Sequence, residues 1–415
     1  MPTKLSRRLF LRRALAVGTL CASIGGVEVA RKGLDLLEQH RTWIEASYPN
    51  GEFLARNAPS LERLTLGTSF APEQFRRSGD GAREALNALD FAVRDLGMSE
   101  VRLGLRWNRT LNREGAIDLS FYRPYLDYCL SRDIDICLNL GPIRVFRWPE
   151  EHVPQSVLSN LSRVPPTDAT ITTGEPLAQE ALKHLERLQG ELISDYGDDL
   201  LTRVSVVQVE NEPFYELGQH RWRFGAGYLR EVALRLIDSF SGAAVLVTSA
   251  GRLHLHLIRD LFAAFLASDD RFGGHLVSGF DFHYKTPLRD SYPVIRHFDQ
   301  LSYARPLAPT PEEHVRDARD LGFRIEVTEG QAEPYGHLRS PGNSARDLRF
   351  LILRLMDKVL DPRQSALIRL WGVEELAKRL LRNEATEEHR QMVEVIQAVN
   401  AGQSNQLSVQ EDLKR

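Results

Sequence analysis

The sequence has few cysteines and no excess of basic residues. Its three cysteines in 415 residues, Cys21, Cys129 and Cys137, lack the spacing of a metal or redox motif, so no metal site is expected. Cys129 and Cys137 are predicted to be buried thiols, although an oxidising compartment would permit a disulfide between them. The chain has 53 Lys plus Arg against 56 Asp plus Glu, a net charge of −3. Binding to a phosphate backbone needs a basic excess, so nucleic acid is not an expected partner.

Long hydrophobic runs are also scarce. The stretch 14–27 is uncharged, but it is shorter than the roughly 20 residues that span a membrane. The segment 6–12, SRRLFLR, precedes it and resembles the twin-arginine export consensus. Residues 1–30 are therefore predicted to be a signal for the twin-arginine (Tat) machinery, which places the protein in the periplasm or outside the cell. Because Glu28 stands where cleavage after Ala30 wants a small residue, the alternative is an uncleaved tether through residues 14–27.

From residue 64 onward, short apolar runs alternate with longer amphipathic segments, a pattern typical of βα units and a parallel sheet. The predicted strands are 64–68, 101–105, 135–140, 204–210, 244–248, 277–282, 323–328 and 366–370. The predicted helices are 82–96, 122–131, 177–195, 222–239, 255–267, 311–321, 344–360 and 386–401.

Eight such units predict an α/β fold, a (β/α)₈ TIM barrel over residues 61–401. A linker, itself mildly helical, is expected at 31–60 and a polar tail at 402–415. The alternative, a doubly wound open sheet, would want a glycine-rich phosphate turn after its first strand, and residues 67–70, GTSF, are no such turn.

Two acidic residues end predicted strands. Glu212 follows the fourth strand in residues 208–213, QVENEP, and Glu329 follows the seventh in residues 325–330, IEVTEG. Barrel enzymes place their chemistry at the carboxyl ends of the strands. Two carboxyl groups that meet there can share glycosidic bond cleavage, because one protonates the leaving oxygen while the other stabilises or attacks the anomeric carbon. Glu326 has the opposite strand parity from Glu329 and is not expected in the site.

Period-two alternation places Gln208, Glu210 and Glu212 on one side of the fourth strand. A buried carboxylate needs a partner, and Arg102 on the second strand is the obvious candidate for Glu210. Arg102 is equally a candidate to hydrogen-bond Glu329.

These residues resemble the pattern of glycoside hydrolase clan A, with cellulase-like and β-galactosidase-like branches. The resemblance rests on Asn211-Glu212-Pro213, Thr328-Glu329, Arg102, His283-Tyr284 and Trp371, and the segment QVENE is similar to the acid/base strand of β-galactosidase-like members. It implies a retaining enzyme without a cofactor, in which Glu212 is the acid/base and Glu329 the nucleophile.

The same resemblance implies the roles of the supporting residues. Asn211 would donate to the sugar 2-hydroxyl, Tyr284 or His283 would hydrogen-bond the nucleophile, and Trp371 would floor the pocket. In the long loop after the third strand, Trp148 is either a rim platform for a second sugar or a loop-packing anchor.

The sequence predicts an exported retaining β-glycosidase that acts on an oligo- or polysaccharide. One alternative is a barrel that binds glycans, or assembles an exported polysaccharide, without hydrolysis. Gly330 favours it, because many clan members have a bulky residue there, and so does the possible tether, whereas the intact carboxylate pair argues against it. Another is a transglycosylase acting on envelope glycan, which would use the same carboxylates.

The export prediction depends on Arg7 and Arg8, because the receptor reads the arginine pair as an address and not only as positive charge. Arg7→Lys combined with Arg8→Lys should leave the protein in the cytoplasm although the charge is unchanged. Cell fractionation measures this, with Arg31→Lys as the control that should still be exported. Undiminished export of the double variant would contradict the prediction.

Overall fold

The structure is a computed structural model that describes residues 63–75, 81–147, 149–250, 254–283, 286–287, 297–298, 310–331, 344–358 and 366–402. The predicted export signal, the tether 14–27, the linker 31–60, Trp148, Tyr284 and all of the tail beyond Gly402 lie outside these residues. Among the described helices, none is both long enough and apolar enough to cross a membrane.

Eight parallel strands close into a barrel, which confirms the predicted TIM barrel. The first strand closes it by pairing with the second and the last: Ser69 lies opposite Arg102 on one side and Trp371 on the other. The strands are β1 (Leu64–Phe70), β2 (Glu100–Gly104), β3 (Asp135–Asn139), β4 (Val204–Gln208), β5 (Ala244–Ala250), β6 (Leu276–His283), β7 (Arg324–Gln331) and β8 (Ala366–Trp371).

Helices lie between the strands, broadly where the amphipathic segments predicted them. The described helices are α1 (Gly81–Asp90), α2 (Arg123–Leu130), α3 (Gln155–Asn160), α4 (Pro176–Arg203), α5 (Ala226–Ser239), α6 (Leu255–Ser268), α7 (Pro311–Leu321), α8 (Ser344–Lys358), α9 (Val373–Leu381) and α10 (Glu387–Asn400). One start was wrong: the fourth predicted helix begins at Ala226 and not at Trp222, because Arg223–Phe224 pairs as a short strand with Thr170–Ile171.

Local sequence explains where a helix such as α7 begins and ends. The Thr310 hydroxyl accepts a hydrogen bond from the Glu313 amide at 3.1 Å, and the Glu313 carboxylate accepts one from the Thr310 amide at 2.6 Å. This capping box and Pro311 at the first position satisfy the free amides of the first turn. Gly322 ends the helix at φ 75°, a left-handed conformation that glycine adopts without strain.

Side chains alternate between the helix layer and the barrel interior. Ile368 and Leu370 of β8 pack outward with Leu351 and Leu355 of α8. Inside the barrel, a small apolar layer consists of Cys137, Val206, Ala244, Leu246 and Val277. Cys129 and Cys137 are free buried thiols, as predicted, and burial raises the pKa of each to about 12.

A charged group shares the barrel interior with this apolar layer. The Arg369 guanidinium, fully buried, donates to Glu100 at 2.6 Å and to Glu326 at 2.8 Å. Arg324 also pairs with Glu326, at 3.6 Å, but its side chain is 52% exposed. The same carboxylate therefore has one buried and one solvated arginine partner.

Removing the buried partner as Arg369→Met should lower the free energy of unfolding by about 3–5 kcal/mol, because it leaves two carboxylates buried without their cation. Arg324→Met is the matched control and should cost no more than about 1 kcal/mol. Chemical denaturation of both variants measures the difference. Equal losses in the two variants would contradict the prediction that the buried arginine stabilises the barrel more than the exposed one does.

Candidate active site

The candidate site is organised by Arg102, which is fully buried at the carboxyl-terminal end of the barrel. Its guanidinium donates to Glu329 Oε1 at 2.8 Å, to Asn211 Oδ1 at 2.8 Å and to Gln208 Oε1 at 2.8 Å. It also donates to the Ser69 hydroxyl at 3.1 Å, and it lies 4.2 Å from the centre of the Phe146 ring. One side chain thus joins residues from β1, β7 and the end of β4.

A β-bulge aims Glu329 into the site. In the pairing of β7 with β6, Val327 lies opposite Phe280 and Glu329 lies opposite Asp281, so Thr328 is the extra residue. In a regular strand, Glu326 and Glu329 would face opposite sides, because they are three residues apart. The bulge makes both of them face the barrel interior. Opposite parity was therefore the wrong reason for leaving Glu326 out of the site. Glu326 also faces the interior, but its partner there is Arg369 and not Arg102.

Asn211 is oriented by groups that can only donate to its oxygen. Arg102 donates to Asn211 Oδ1 at 2.8 Å, and the Gln208 amide donates to it at 3.1 Å. The Asn211 amide nitrogen consequently faces the other way and donates to Glu150 at 3.1 Å. Because that nitrogen carries two hydrogens, one remains to donate to a ligand hydroxyl.

Glu212 has a strained backbone that its neighbours hold in place. Its φ of 41° is left-handed, and it precedes Pro213, which disfavours helical conformations in the residue before it. The Glu212 amide donates to the Thr248 hydroxyl at 2.8 Å, and the Glu212 carbonyl accepts from Arg144 at 3.0 Å. Strain of about 1–3 kcal/mol that is held in this way is typical of functional positions.

The Glu212 carboxyl lies in an acidic environment. Among the described residues, none donates a hydrogen bond to this carboxyl group. Burial raises the pKa of Glu212 well above 4.5, and the charges of Asp281, Glu150 and Glu329 raise it further, while Arg144 opposes them. Burial and the neighbouring carboxylates thus both favour the protonated form of Glu212 over the ionised one.

Asp281 and Glu150 belong to the site although the sequence did not single them out. Asp281 is fully buried on β6, where it accepts a short hydrogen bond from the Thr328 hydroxyl. The sequence feature that could have identified Asp281 is its position near the end of a predicted strand, two residues before His283. Glu150 lies in the loop after β3 at φ 70°, where no strand pattern marks it.

Arg102 does not pair with Glu210, so that candidate pairing was wrong. The β4 strand ends at Gln208, two residues before its predicted end, and the alternation stops there. Glu210 instead accepts from the amides of Ile143 and Arg144, at 3.2 and 2.5 Å, and from the Tyr228 hydroxyl at 2.7 Å. Gly141 lets the loop after β3 come this close to Glu210, because a Cβ at residue 141 would lie 2.5 Å from the Val209 carbonyl oxygen.

Arg144, which the sequence did not single out, holds the loop that carries Glu212. Its fully buried guanidinium donates to the carbonyls of Glu212 at 3.0 Å and Tyr215 at 2.9 Å, and also to that of Trp222. Burial lowers the pKa of Arg144, and nearby carboxylates, Glu150 first, counteract that effect. The guanidinium thereby replaces the regular backbone bonds that this loop lacks.

The structure places the remaining predicted residues only in part. Trp371 lies at the end of β8 opposite Ser69, and the Arg147 guanidinium covers one face of its ring at 3.7 Å. Glu374 holds Arg147 there with a contact of 2.7 Å. The backbone of His283 ends β6, whereas Tyr284 and Trp148 lie outside the described residues.

In the described part of the chain, no cluster of His, Cys, Asp and Glu is arranged to hold a metal ion.

No family model and no curated protein sequence matches the chain. Several solved structures align with it. GH10 from Paenibacillus barcinonensis aligns over 76% of this chain and 85% of its own, with 13% identity and a TM-score of 0.45. The glycoside hydrolase family 30 subfamily 8 xylanase Xyn30A from Clostridium acetobutylicum aligns over 74% and 64%, with 16% identity and a TM-score of 0.41. An endo-1,4-beta-xylanase from Caldicellulosiruptor owensensis aligns over 76% and 87%, with 11% identity and a TM-score of 0.45.

The environment of Glu210 predicts a pH dependence of stability. Burial raises the pKa of Glu210 from 4.5 to about 7, against the opposing hydrogen bonds from Tyr228 and the loop amides. Between these values the folded state holds a proton that the unfolded chain releases. The free energy of unfolding should therefore fall as pH rises through this window, by up to about 3 kcal/mol, and then level off.

Glu210→Gln should lack this component, since glutamine does not titrate. Denaturation at pH 5, 6, 7 and 8 should show the stability difference between wild type and variant declining with pH. Glu394→Gln, at an exposed position of α10, is the control and should show no such trend. A difference between wild type and Glu210→Gln that is constant with pH would contradict the prediction.

Proposed function

We propose that the protein is a retaining β-glycosidase that hydrolyses O-glycosidic bonds of an oligo- or polysaccharide by double displacement. Glu212 is the general acid/base and Glu329 is the nucleophile. Arg102 and Asn211 support them, and Trp371 floors the sugar pocket. The resemblance in sequence alone assigns His283 or Tyr284 to hydrogen-bond the nucleophile.

The proposal is carried by the different environments of the two acids. Glu329 has a buried cation, Arg102, at 2.8 Å, and an opposite charge at this distance favours the ionised carboxylate. Glu212 has burial and three neighbouring carboxylates, which raise its pKa. One acid is thus prepared to attack and the other to donate a proton, which is the division that glycosidic cleavage needs.

In the first step, Glu329 attacks the anomeric carbon while Glu212 transfers its proton to the departing oxygen. The bond to the leaving group breaks as the ester bond to Glu329 forms. Asn211 donates its remaining amide hydrogen to the 2-hydroxyl, a contact that strengthens as positive charge develops on the sugar.

In the second step, water replaces the leaving group. Formation of the ester removes the charge of Glu329, so the pKa of Glu212 falls and the ionised Glu212 can take a proton from the water. The oxygen of that water attacks the anomeric carbon, the ester bond breaks, and Glu329 leaves as a carboxylate. Two inversions leave the product with the configuration of the substrate.

Gly330 no longer favours a barrel without hydrolytic activity. It lies in β7 just after the bulge, where a Cβ would come within 3.0 Å of the Ile368 side chain. Packing against β8 therefore accounts for the glycine.

Transglycosylation would use the same carboxylates, and product analysis with an added acceptor sugar distinguishes it from hydrolysis. Export and the tether 14–27 remain part of the proposal on the sequence motif alone.

The roles of the two acids are tested by chemical rescue. Glu329→Ala should lower kcat/KM on aryl glycosides on the order of 10³-fold or more, because it removes the nucleophile. Azide should restore part of the activity and give a glycosyl azide of inverted configuration, which proton NMR identifies.

Glu212→Ala should lower kcat/KM by about 10²–10⁴-fold on substrates with poor leaving groups and by less where the leaving group needs no proton. Rescue of Glu212→Ala with azide and inversion would show that the roles are reversed.

The activity itself is tested by incubating the wild type with a panel of fluorosugars and measuring the mass of the intact protein. Labelling at neither acid would contradict the proposed function.

A further inference from the structure

The bulge in β7 that aims Glu329 is present against both neighbouring strands. On the β6 side, Thr328 is the extra residue, and on the β8 side Thr328 and Glu329 lie opposite the single residue Arg369. A bulge disrupts the regular ladder of backbone hydrogen bonds at its extra residue. Other contacts must therefore hold Thr328, and through it the direction of Glu329.

One set of contacts holds the backbone of Thr328. The Ser69 hydroxyl donates to the Thr328 carbonyl at 2.8 Å, and Arg102 Nη1 donates to it at 3.3 Å. These donors come from β1 and β2, neither of which pairs with β7. The same Arg102 nitrogen donates to Glu329 Oε1 at 2.8 Å. One guanidinium thus binds both the carbonyl of the bulge and the carboxylate that follows it.

A second contact holds the side chain of Thr328, and its partner is Asp281 of β6. The Thr328 hydroxyl donates to Asp281 Oδ1, and both residues are fully buried. Gly279, two residues earlier on β6, leaves space for this hydroxyl, because a Cβ there would lie 3.0 Å from its oxygen. Since an ionised carboxylate only accepts hydrogen bonds, the hydroxyl hydrogen stays with Asp281 and fixes the Thr328 side chain.

The carboxylate of Asp281 also acts on Glu212 through its charge. Burial raises the pKa of Glu212 most, and among the neighbouring charges that of Asp281 raises it most. The other charged groups that act on Glu212 are Glu329 on β7 and, in the loop after β3, Glu150 and Arg144. Asp281 is therefore linked to one acid by a hydrogen-bonded neighbour and to the other by electrostatic repulsion.

We infer that Asp281 is a positioning residue for both acids: its hydrogen bond with Thr328 fixes the direction of Glu329, and its negative charge favours the protonated form of Glu212. The inference rests on the proposed function, which assigns the roles of nucleophile and acid. The two effects are separable, because an asparagine at this position can still accept the hydrogen bond but carries no charge.

The direction of Glu329 is tested by the rate at which a dinitrophenyl 2-fluoroglycoside that labels the wild type adds to the intact protein. A Glu329 oxygen forms an ester bond to the anomeric carbon, and dinitrophenolate leaves with the electrons of the broken bond. No proton is transferred, so the rate does not require Glu212 as an acid. Thr328→Val should be labelled about tenfold or more slowly, because the nucleophile is misaligned. Thr328→Ser keeps the hydroxyl and should recover much of the rate.

The charge of Asp281 is tested by the pH profile of kcat/KM on a substrate whose leaving group needs a proton. The alkaline limb follows loss of the proton from Glu212, so it should lie at lower pH in Asp281→Asn than in the wild type. Asp281→Asn should slow labelling less than Thr328→Val does, because its amide oxygen still accepts from Thr328. Asp260→Asn, at an exposed position of α6, is the matched control and should change neither measurement.

An alkaline limb that does not move in Asp281→Asn, or labelling of Thr328→Val at the wild-type rate, would overturn the inference and leave the proposed function. If Thr328→Val does not fold, the pH profile of Asp281→Asn decides the inference by itself. A wild type that no fluorosugar labels would overturn the proposed function and the inference together.

Discussion

The site depends on one buried cation. Arg102 has no solvent to hydrate it, so its guanidinium must find acceptors within the barrel, and these include Ser69, Gln208, Asn211 and Glu329. Satisfying this one group fixes the position of Glu329, decides which way the Asn211 amide faces, and draws the ends of β4 and β7 together. A lysine could not replace it, since a single ammonium does not present a planar set of donors.

The second constraint is an excess of negative charge around Glu212. Arg102 donates to Glu329, and Arg144 donates to backbone carbonyls that include that of Glu212, so neither arginine donates to the Glu212 carboxyl group. Asp281 and Glu150 add to the effect of burial in raising the pKa of Glu212, and these effects favour its protonated form. The strained conformation at Glu212 is stable because Thr248 and Arg144 hold the backbone on both sides of the residue.

Period-two and helical patterns were sufficient to predict the barrel, the strand that carries Glu329 and the strand that leads to Glu212, because these patterns follow from which faces must be buried. They could not predict places where the backbone departs from regular geometry. The bulge at Thr328 places both Glu326 and Glu329 inside, and the end of β4 at Gln208 sends Glu210 to Tyr228. Glu150 and Arg144 act through loop conformations that leave no periodic signal.

The central claim is that a protonated Glu212 and an ionised Glu329 share one pocket. Titration of Glu212 by carboxyl-¹³C NMR in the wild type and in Glu329→Gln tests it most directly. The account predicts that the pKa of Glu212 falls in the variant but stays above 4.5, because burial, Asp281 and Glu150 still raise it. Glu375→Gln, at an exposed position of α9, should leave it unchanged. A titration of Glu212 that is the same in Glu329→Gln and the wild type would mean that the two acids do not interact, and the proposed mechanism would be wrong.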